Sequence, residues 1–119
     1  MEKLKLFDAE HKFMSIVWAN EPINSTELTK LCEKELGWKK PTTYSMIKKL
    51  SERGIMKNEN ATVTTLIERE LVQKYEADML LSKMFNDSIP SFIASFLQDK
   101  TLSEKESKEI REMIEKVTK

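Results

Sequence analysis

The sequence predicts a mostly α-helical protein with one small β-hairpin, or β-wing. Apolar residues recur at helical spacing through most of the chain. The only two glycines, Gly37 and Gly54, each follow such a segment, at a position where a helix end favours a left-handed backbone. One short stretch, residues 55–65, is instead rich in β-branched residues. These three observations favour short helices around a hairpin, with further helices after it.

Composition excludes several classes of protein. The chain has 119 residues, one cysteine and one histidine, which excludes disulfide frameworks, Cys/His zinc clusters and CxxC redox chemistry. Two glycines are too few for a phosphate-binding loop or a nucleophile elbow. We find no catalytic constellation, so we predict a protein that is not an enzyme and has no metal site or cofactor. No apolar run is long enough for a secretory signal or a membrane span, which predicts a cytoplasmic protein.

The first two helices have recognisable ends. Asp8 is a good N-cap for a helix that runs through Asn20, and Pro22 follows it. Asn24 and Glu27 form a capping-box pattern that opens a second helix, and Gly37 ends that helix. The inner face of this second helix is predicted to comprise Leu28, Leu31, Cys32 and Leu36.

The third helix is predicted to begin at Pro41, a favoured first helical residue, and to end at Gly54. Four of its residues share one face at spacings i, i+3, i+4 and i+7 and should lie in the core: Thr43, Met46, Ile47 and Leu50. The opposite face is polar. Just before this helix, Trp38 either covers the core beneath it or stacks on a nucleic acid backbone, and burial is favoured for a large aromatic.

A hairpin should follow, with strands at residues 55–57 and 62–65 and a turn at Asn58-Glu59-Asn60. The helical period then returns from about Glu68 and breaks at Asn86-Asp87-Ser88. A capping box at Ser103 and Glu106 opens the last helix. We therefore predict a first domain over residues 1–67 and a second, helical domain over residues 68–119.

The apolar stripes of residues 68–119 need partners. A chain of this length cannot fold all of them onto one three-helix core, and large exposed apolar faces mark interaction surfaces. A symmetric homodimer, in which these helices pack on their copies, is the economical arrangement. A compact monomer with the last helices folded back is the alternative.

Charge is unevenly distributed although the net formal charge is zero. The stretch Gly37–Lys57 has six basic residues and one acidic residue. Such a stretch can contact phosphates, although an ordinary solvated helix face has a similar composition. The order helix, helix, basic helix, hairpin is that of a winged helix-turn-helix, in which the third helix enters the major groove of DNA.

Two segments resemble the penicillinase-repressor (BlaI/MecI/CopY) family. The first contains Leu6-Phe7-Asp8-Ala9-Glu10 and then Met14, Ile16, Trp18, Pro22 and Glu27-Leu28. The second is Trp38–Leu50, which resembles the recognition helix of that family, followed by Arg53-Gly54-Ile55. The helices Ile89–Leu97 and Ser103–Val117 resemble its dimerisation arm more loosely.

This resemblance implies a cytoplasmic dimeric repressor of β-lactam-resistance or related genes that binds an inverted-repeat operator in double-stranded DNA. By position, the residues implied to contact DNA are Lys40, Thr42, Tyr44, Ser45, Lys48 and Lys49. In the β-lactam branch a membrane sensor signals cleavage within the arm, and the bond that aligns is Ser95-Phe96. Loss of the arm would separate the two DNA-binding domains and reduce paired-site affinity.

An alternative function is a protein-interaction adaptor that keeps the winged fold but has weak or no affinity for DNA. The short wing with Glu59 at its tip and the zero net charge motivate it. A longer and more basic wing is usual in the family. Operator binding that weakens steeply with salt favours the repressor, whereas a stable protein partner without a DNA footprint favours the adaptor.

Overall fold

The structure is a computed structural model that describes residues 4–119. Within that range it is mostly helical, with a small antiparallel sheet, as predicted. The helices are α1 Asp8–Asn20, α2 Ser25–Leu36, α3 Lys40–Glu52, α4 Arg69–Phe85, α5 Ile89–Leu97 and α6 Glu104–Val117. The strands are β1 Ile23–Asn24, β2 Met56–Glu59 and β3 Thr62–Thr65. The chain divides into two compact units, a first that ends at Met79 and a second over Leu80–Lys119.

The first unit is a winged helix with a closed apolar core. Helices α1, α2 and α3 and the sheet each contribute fully buried side chains, among them Phe13, Leu28, Leu50 and Val63. The predicted inner face of α3 is confirmed, because Thr43, Ile47 and Leu50 are buried and Met46 is partly buried. Such burial of apolar area is the main source of stability in a domain of this size.

Local signals fix most helix ends of this unit. The Asn24 side chain accepts hydrogen bonds from the N–H groups of Thr26 and Glu27, which confirms it as the N-cap of α2. Gly37 ends α2 with a φ of 71°. Two predicted starts shift by one residue. Phe7, not Asp8, is the N-cap of α1, and α3 begins at Lys40 rather than Pro41.

The sheet is larger than the predicted hairpin. Its strand order is β1-β3-β2, and β1 joins through the pairs Ile23 with Val63 and Asn24 with Thr62. The predicted turn at residues 58–60 is wrong, because it begins two residues too early. Asn58 and Glu59 remain in β2, and the turn is Asn60-Ala61, where both residues have positive φ (51° and 60°).

Helix α4 begins in the first unit and packs on its core. Val72 is buried and Tyr75 is partly buried against that core. His11 Nε2 lies 2.7 Å from Glu76 Oε1, which links α1 to α4. The indole N–H of Trp18 donates to the Ile67 carbonyl at 3.0 Å, just before α4 begins. The first compact unit therefore includes the start of α4 and ends at Met79.

The second unit has no closed core. It contains the end of α4 together with α5 and α6, and none of the residues of α5 or α6 is buried. Phe85 and Phe92 meet edge to face, with ring centroids 5.4 Å apart. Ser88 caps α5, and the predicted capping box of Ser103 and Glu106 opens α6. These helices are defined by local hydrogen bonds and aromatic contacts rather than by burial.

Candidate nucleic-acid interface

Helix α3 is positioned by its buried face and by the turn before it. After Gly37, the Trp38 ring stacks on Phe13, with centroids 5.9 Å apart and an interplanar angle of 14°. Trp38 is partly buried against the core, which agrees with the favoured interpretation of this residue. Because α3 buries Ile47 and Leu50, the polar side of the helix faces outward.

Three of the predicted DNA-contact residues form an open polar surface on α3. Thr42, Ser45 and Lys48 are exposed, and within residues 4–119 their side chains have no hydrogen-bond or ion-pair partner. Spacings of three and six residues place all three on adjacent turns of one side of the helix. Two hydroxyls and one ammonium group can donate to phosphate oxygens and to base edges. We call these residues the α3 polar surface.

Lys40 and Tyr44 lie at the edge of this surface and contact each other. The Lys40 Nζ is 5.9 Å from the centroid of the Tyr44 ring. The hydroxyls of Ser25 and Thr26, at the start of α2, lower the pKa of Tyr44, and Lys40 adds to this effect. Tyr44 therefore directs its hydroxyl toward α2, while Lys40 keeps an exposed ammonium group.

Lys49, the remaining predicted contact, has an intramolecular partner. Its Nζ lies 3.0 Å from Oε2 of Glu10, and the guanidinium of Arg53 lies 3.1 Å from the same oxygen. The other Glu10 oxygen accepts a hydrogen bond from the Phe7 N–H at 2.9 Å. Glu10 itself is only 1% exposed.

The Glu10 carboxylate is stabilised as an ion. Burial raises the pKa of Glu10, but the hydrogen bonds from Phe7, Lys49 and Arg53 outweigh burial and hold that pKa below its ordinary value. Sequence reasoning missed this group. The available signal was its position, because Glu10 shares the apolar face of α1 with Phe13, Met14 and Val17 at spacings of three, four and seven residues.

The wing presents a mixed charge beside α3. Glu59 is exposed at the end of β2, and its carboxylate lies 3.8 Å from the Lys57 ammonium. Both side chains are largely solvated, so this pair contributes little to stability. The wing therefore adds no net positive charge from these two residues.

The predicted cleavage bond, Ser95-Phe96, lies in the last turns of α5. Both residues are exposed, and the Phe96 ring is stacked on Phe92 with centroids 5.8 Å apart. The Lys100 ammonium lies 4.3 Å from the centroid of the Phe96 ring and donates to the Phe96 carbonyl at 2.6 Å. The carbonyl of Ser95, which belongs to this bond, accepts a hydrogen bond from the Gln98 N–H at 3.3 Å.

Two features are absent from the part of the chain that the structure describes. Residues 4–119 contain no helix with the length and hydrophobicity to cross a membrane. The same residues hold no cluster of three or more His, Cys, Asp or Glu side chains placed to bind a metal ion. Burial raises the pKa of the single thiol, Cys32, which packs inside the core.

Comparison with known proteins gives consistent matches over nearly the whole chain. The profile of the Penicillinase repressor family matches residues 6–116. The chain is 24% identical to the penicillinase repressor of Bacillus licheniformis over 120 aligned positions, which cover 97% of this chain and 94% of that protein. It is 21% identical to the methicillin resistance regulatory protein MecI of Staphylococcus aureus, with 94% of each chain covered. With its winged-helix unit and the family match across both units, this chain belongs to the penicillinase repressor family.

Proposed function

We propose that this protein is a dimeric transcriptional repressor that binds an inverted-repeat DNA operator and regulates β-lactam-resistance or related genes. The observation that carries the proposal is the α3 polar surface, where Thr42, Ser45 and Lys48 are exposed and have no partner among the described residues. The names of two relatives, a penicillinase repressor and a methicillin resistance regulator, support the choice of target genes.

In this proposal α3 enters the major groove. Lys48 contacts phosphate and supplies affinity through counterion release, while Thr42 and Ser45 orient the helix and contribute limited base readout. Lys40 and Tyr44, which lie at the N-terminal end of α3, contact the adjoining backbone. The positive N-terminal end of the α3 helix dipole adds a favourable field for a phosphate at the same end.

The exposed apolar side chains of the second unit support a homodimer. On α6, for example, the side chains of Met113, Ile114 and Val117 are 61%, 56% and 81% exposed. They recur at helical spacing on one face, and the polar residues of α6 occupy the other. A second copy of the same face is the partner that symmetry supplies, and isologous packing would remove both faces from water.

The proposal also includes inactivation of the repressor by cleavage at Ser95-Phe96. The bond is exposed, and it separates α6 and the end of α5 from the DNA-binding unit. A membrane sensor-protease system is the proposed source of the signal. Incubation of the full chain with such a system, followed by mass spectrometry of the fragments, tests this step. Fragments that end elsewhere, or an intact chain under inducing conditions, contradict it.

The DNA-binding part is tested by titration of a fluorescent duplex from the upstream region of its own gene. We expect specific binding that falls steeply between about 50 mM and 200 mM salt. Lys48→Ala should reduce the slope of log K against log salt by about 0.9, the value for one lost phosphate contact. The exposed lysine of α1, Lys12, provides a matched control, since Lys12→Ala should leave the slope unchanged. No binding at micromolar protein in low salt contradicts the proposal.

The wing favours a second candidate function, a protein-interaction adaptor. Exposed Glu59 repels phosphate, and it faces solvent beside the proposed DNA surface. Glu59→Lys distinguishes the two functions. It should raise operator affinity several-fold in a repressor whose wing lies near DNA. An adaptor should gain only weak, sequence-independent DNA binding from this change and should retain a stable protein partner.

A further inference from the structure

The C-terminal end of α3 is fixed by two cations that contact one buried carboxylate. Glu10, in the first turn of α1, contacts Lys49 and Arg53, which are four residues apart at the end of α3. The guanidinium of Arg53 also donates to the Lys5 carbonyl at 2.6 Å, which ties the segment before α1 into the same cluster. One carboxylate therefore joins three parts of the first unit.

The charges of this cluster also suit the helix ends on which they lie. A carboxylate near the N-terminus of α1 and cations near the C-terminus of α3 are both favoured by the helix dipoles. Glu10 is almost fully buried, so a change in the angle of α3 would leave its charge without its two cationic partners in a low-dielectric site. The cluster therefore selects one orientation of α3 against α1.

Lys49 differs from its neighbour Lys48 in this respect. Both are on α3 and both are exposed in part, but only Lys49 has a carboxylate at 3.0 Å. To reach a phosphate, the Lys49 ammonium would have to leave a buried carboxylate. Lys48 has no such contact to break among the described residues.

We propose that Glu10 is a positioning residue for DNA binding, and that Lys49 acts as its counter-ion rather than as a phosphate contact. This inference rests on the proposed function, because it concerns the orientation of the helix that we place in the major groove. Glu10 sets the angle of α3 through Lys49 and Arg53. Because the α3 polar surface lies on the same helix, this angle determines how that surface meets the duplex.

Binding of the full chain to the operator duplex, measured at several salt concentrations, distinguishes a lysine that contacts phosphate from a lysine that acts as the counter-ion of Glu10. Lys48→Ala should reduce the salt slope by about 0.9. Lys49→Met should weaken binding by a similar factor at every salt concentration and leave the slope unchanged. Lys49→Arg keeps an ion-pairing cation and should retain both affinity and slope. A loss of about 0.9 in the slope on Lys49→Met would overturn the inference.

A double-mutant cycle in operator affinity tests the coupling directly. Glu10→Gln and Lys49→Met should each weaken binding, and the double variant should bind at least about threefold better than the product of the two single effects predicts. Multiplicative single effects would overturn the inference while leaving the proposed function intact. Absence of operator binding by the parent chain would overturn both.

Stability supplies the readout if Glu10→Gln fails to fold. The parent, Lys49→Met and Lys49→Arg are then compared by chemical denaturation without DNA. We expect Lys49→Met to lower the denaturation midpoint and Lys49→Arg to preserve it. Equal midpoints for the parent and Lys49→Met would show that the contact does not hold α3, and would overturn the inference.

Discussion

Two phenylalanines show how differently the two units use apolar side chains. Phe13 in the first unit has no exposed area and stacks on Trp38, whereas Phe96 in the second is 52% exposed and stacks on Phe92. Both lie on helices with a regular apolar period. The first helix has α2, α3 and a sheet to pack against, and within Leu80–Lys119 the second has no closed core. Helical periodicity thus predicts which side is apolar, while the number of packing elements decides whether that side is buried.

The largest expected effect is in the core of the first unit. Phe13→Ala should lower the free energy of unfolding by about 3–5 kcal/mol, because it removes a fully buried ring and leaves a cavity. Denaturant titration measures this loss. Phe7→Ala is the control, since Phe7 is 62% exposed and its removal should change the free energy by less than about 0.5 kcal/mol. Equal effects of the two substitutions would contradict the contrast between buried and exposed rings.

Charge on the apolar face of α6 should act on assembly and not on the first unit. Met113→Glu together with Ile114→Glu should raise the dimer dissociation constant by about 100-fold, or about 2.7 kcal/mol, because carboxylates would enter an apolar interface. Sedimentation velocity over a series of protein concentrations measures this dissociation constant. Glu112→Gln, on another side of α6, should leave association unchanged. A protein that is monomeric before any substitution would refute the proposed dimer.

The buried carboxylate makes the first unit sensitive to acid. The pKa of Glu10 is lowered in the folded state, so its contribution to stability is complete above the unfolded value near 4.5 and is lost as pH falls through the folded value. Glu10→Gln should cost about 2 kcal/mol at neutral pH, below the range for a fully buried pair because Lys49 is partly solvated. The same substitution should also make the free energy of unfolding less dependent on pH below about 4.5, because it removes the carboxylate that takes up the proton. Denaturation midpoints at several pH values measure both, and an unchanged acid slope would contradict the assignment.

A smaller effect should come from Thr43, which is buried in an otherwise apolar position. Within the described chain its hydroxyl has no hydrogen-bond partner of standard geometry, and the weakly polar Cys32 thiol lies beside it. Thr43→Val should raise the free energy of unfolding by about 1 kcal/mol by removing a buried polar group. Thr42→Val, at the exposed neighbour, should stay within about 0.5 kcal/mol of the parent. A destabilised Thr43→Val would show that the thiol satisfies the hydroxyl.

Short-range signals made most of the fold predictable from sequence. Asn24, Gly37 and Ser103 act through hydrogen bonds or backbone angles within a few residues, and the structure confirms all three as helix ends. The wing turn was misplaced because neither Asn60 nor Ala61 is a glycine, although both have positive φ. Strand β1 was missed because two residues carry no periodicity, and its pairing with β3 joins residues that are distant in sequence.

The candidate site was predictable only in part. The polar face of α3 follows from spacing alone, which places Thr42, Ser45 and Lys48 opposite the buried residues. Spacing cannot show that Lys49 meets a carboxylate from α1, since that contact depends on how two helices cross. The DNA contacts themselves remain predictions, and the binding experiments above test them.

The helical setting of the Ser95-Phe96 bond has a consequence for the timing of any cut. A protease must draw several residues into an extended strand, so this bond becomes a substrate only during the moments when the end of α5 unwinds. When opening and closing are fast relative to cleavage, the rate follows the fraction of time spent open. The hydrogen bond from Gln98 and the Lys100 contact would then set the rate of the proposed cleavage, far along the chain from the residues proposed to contact DNA.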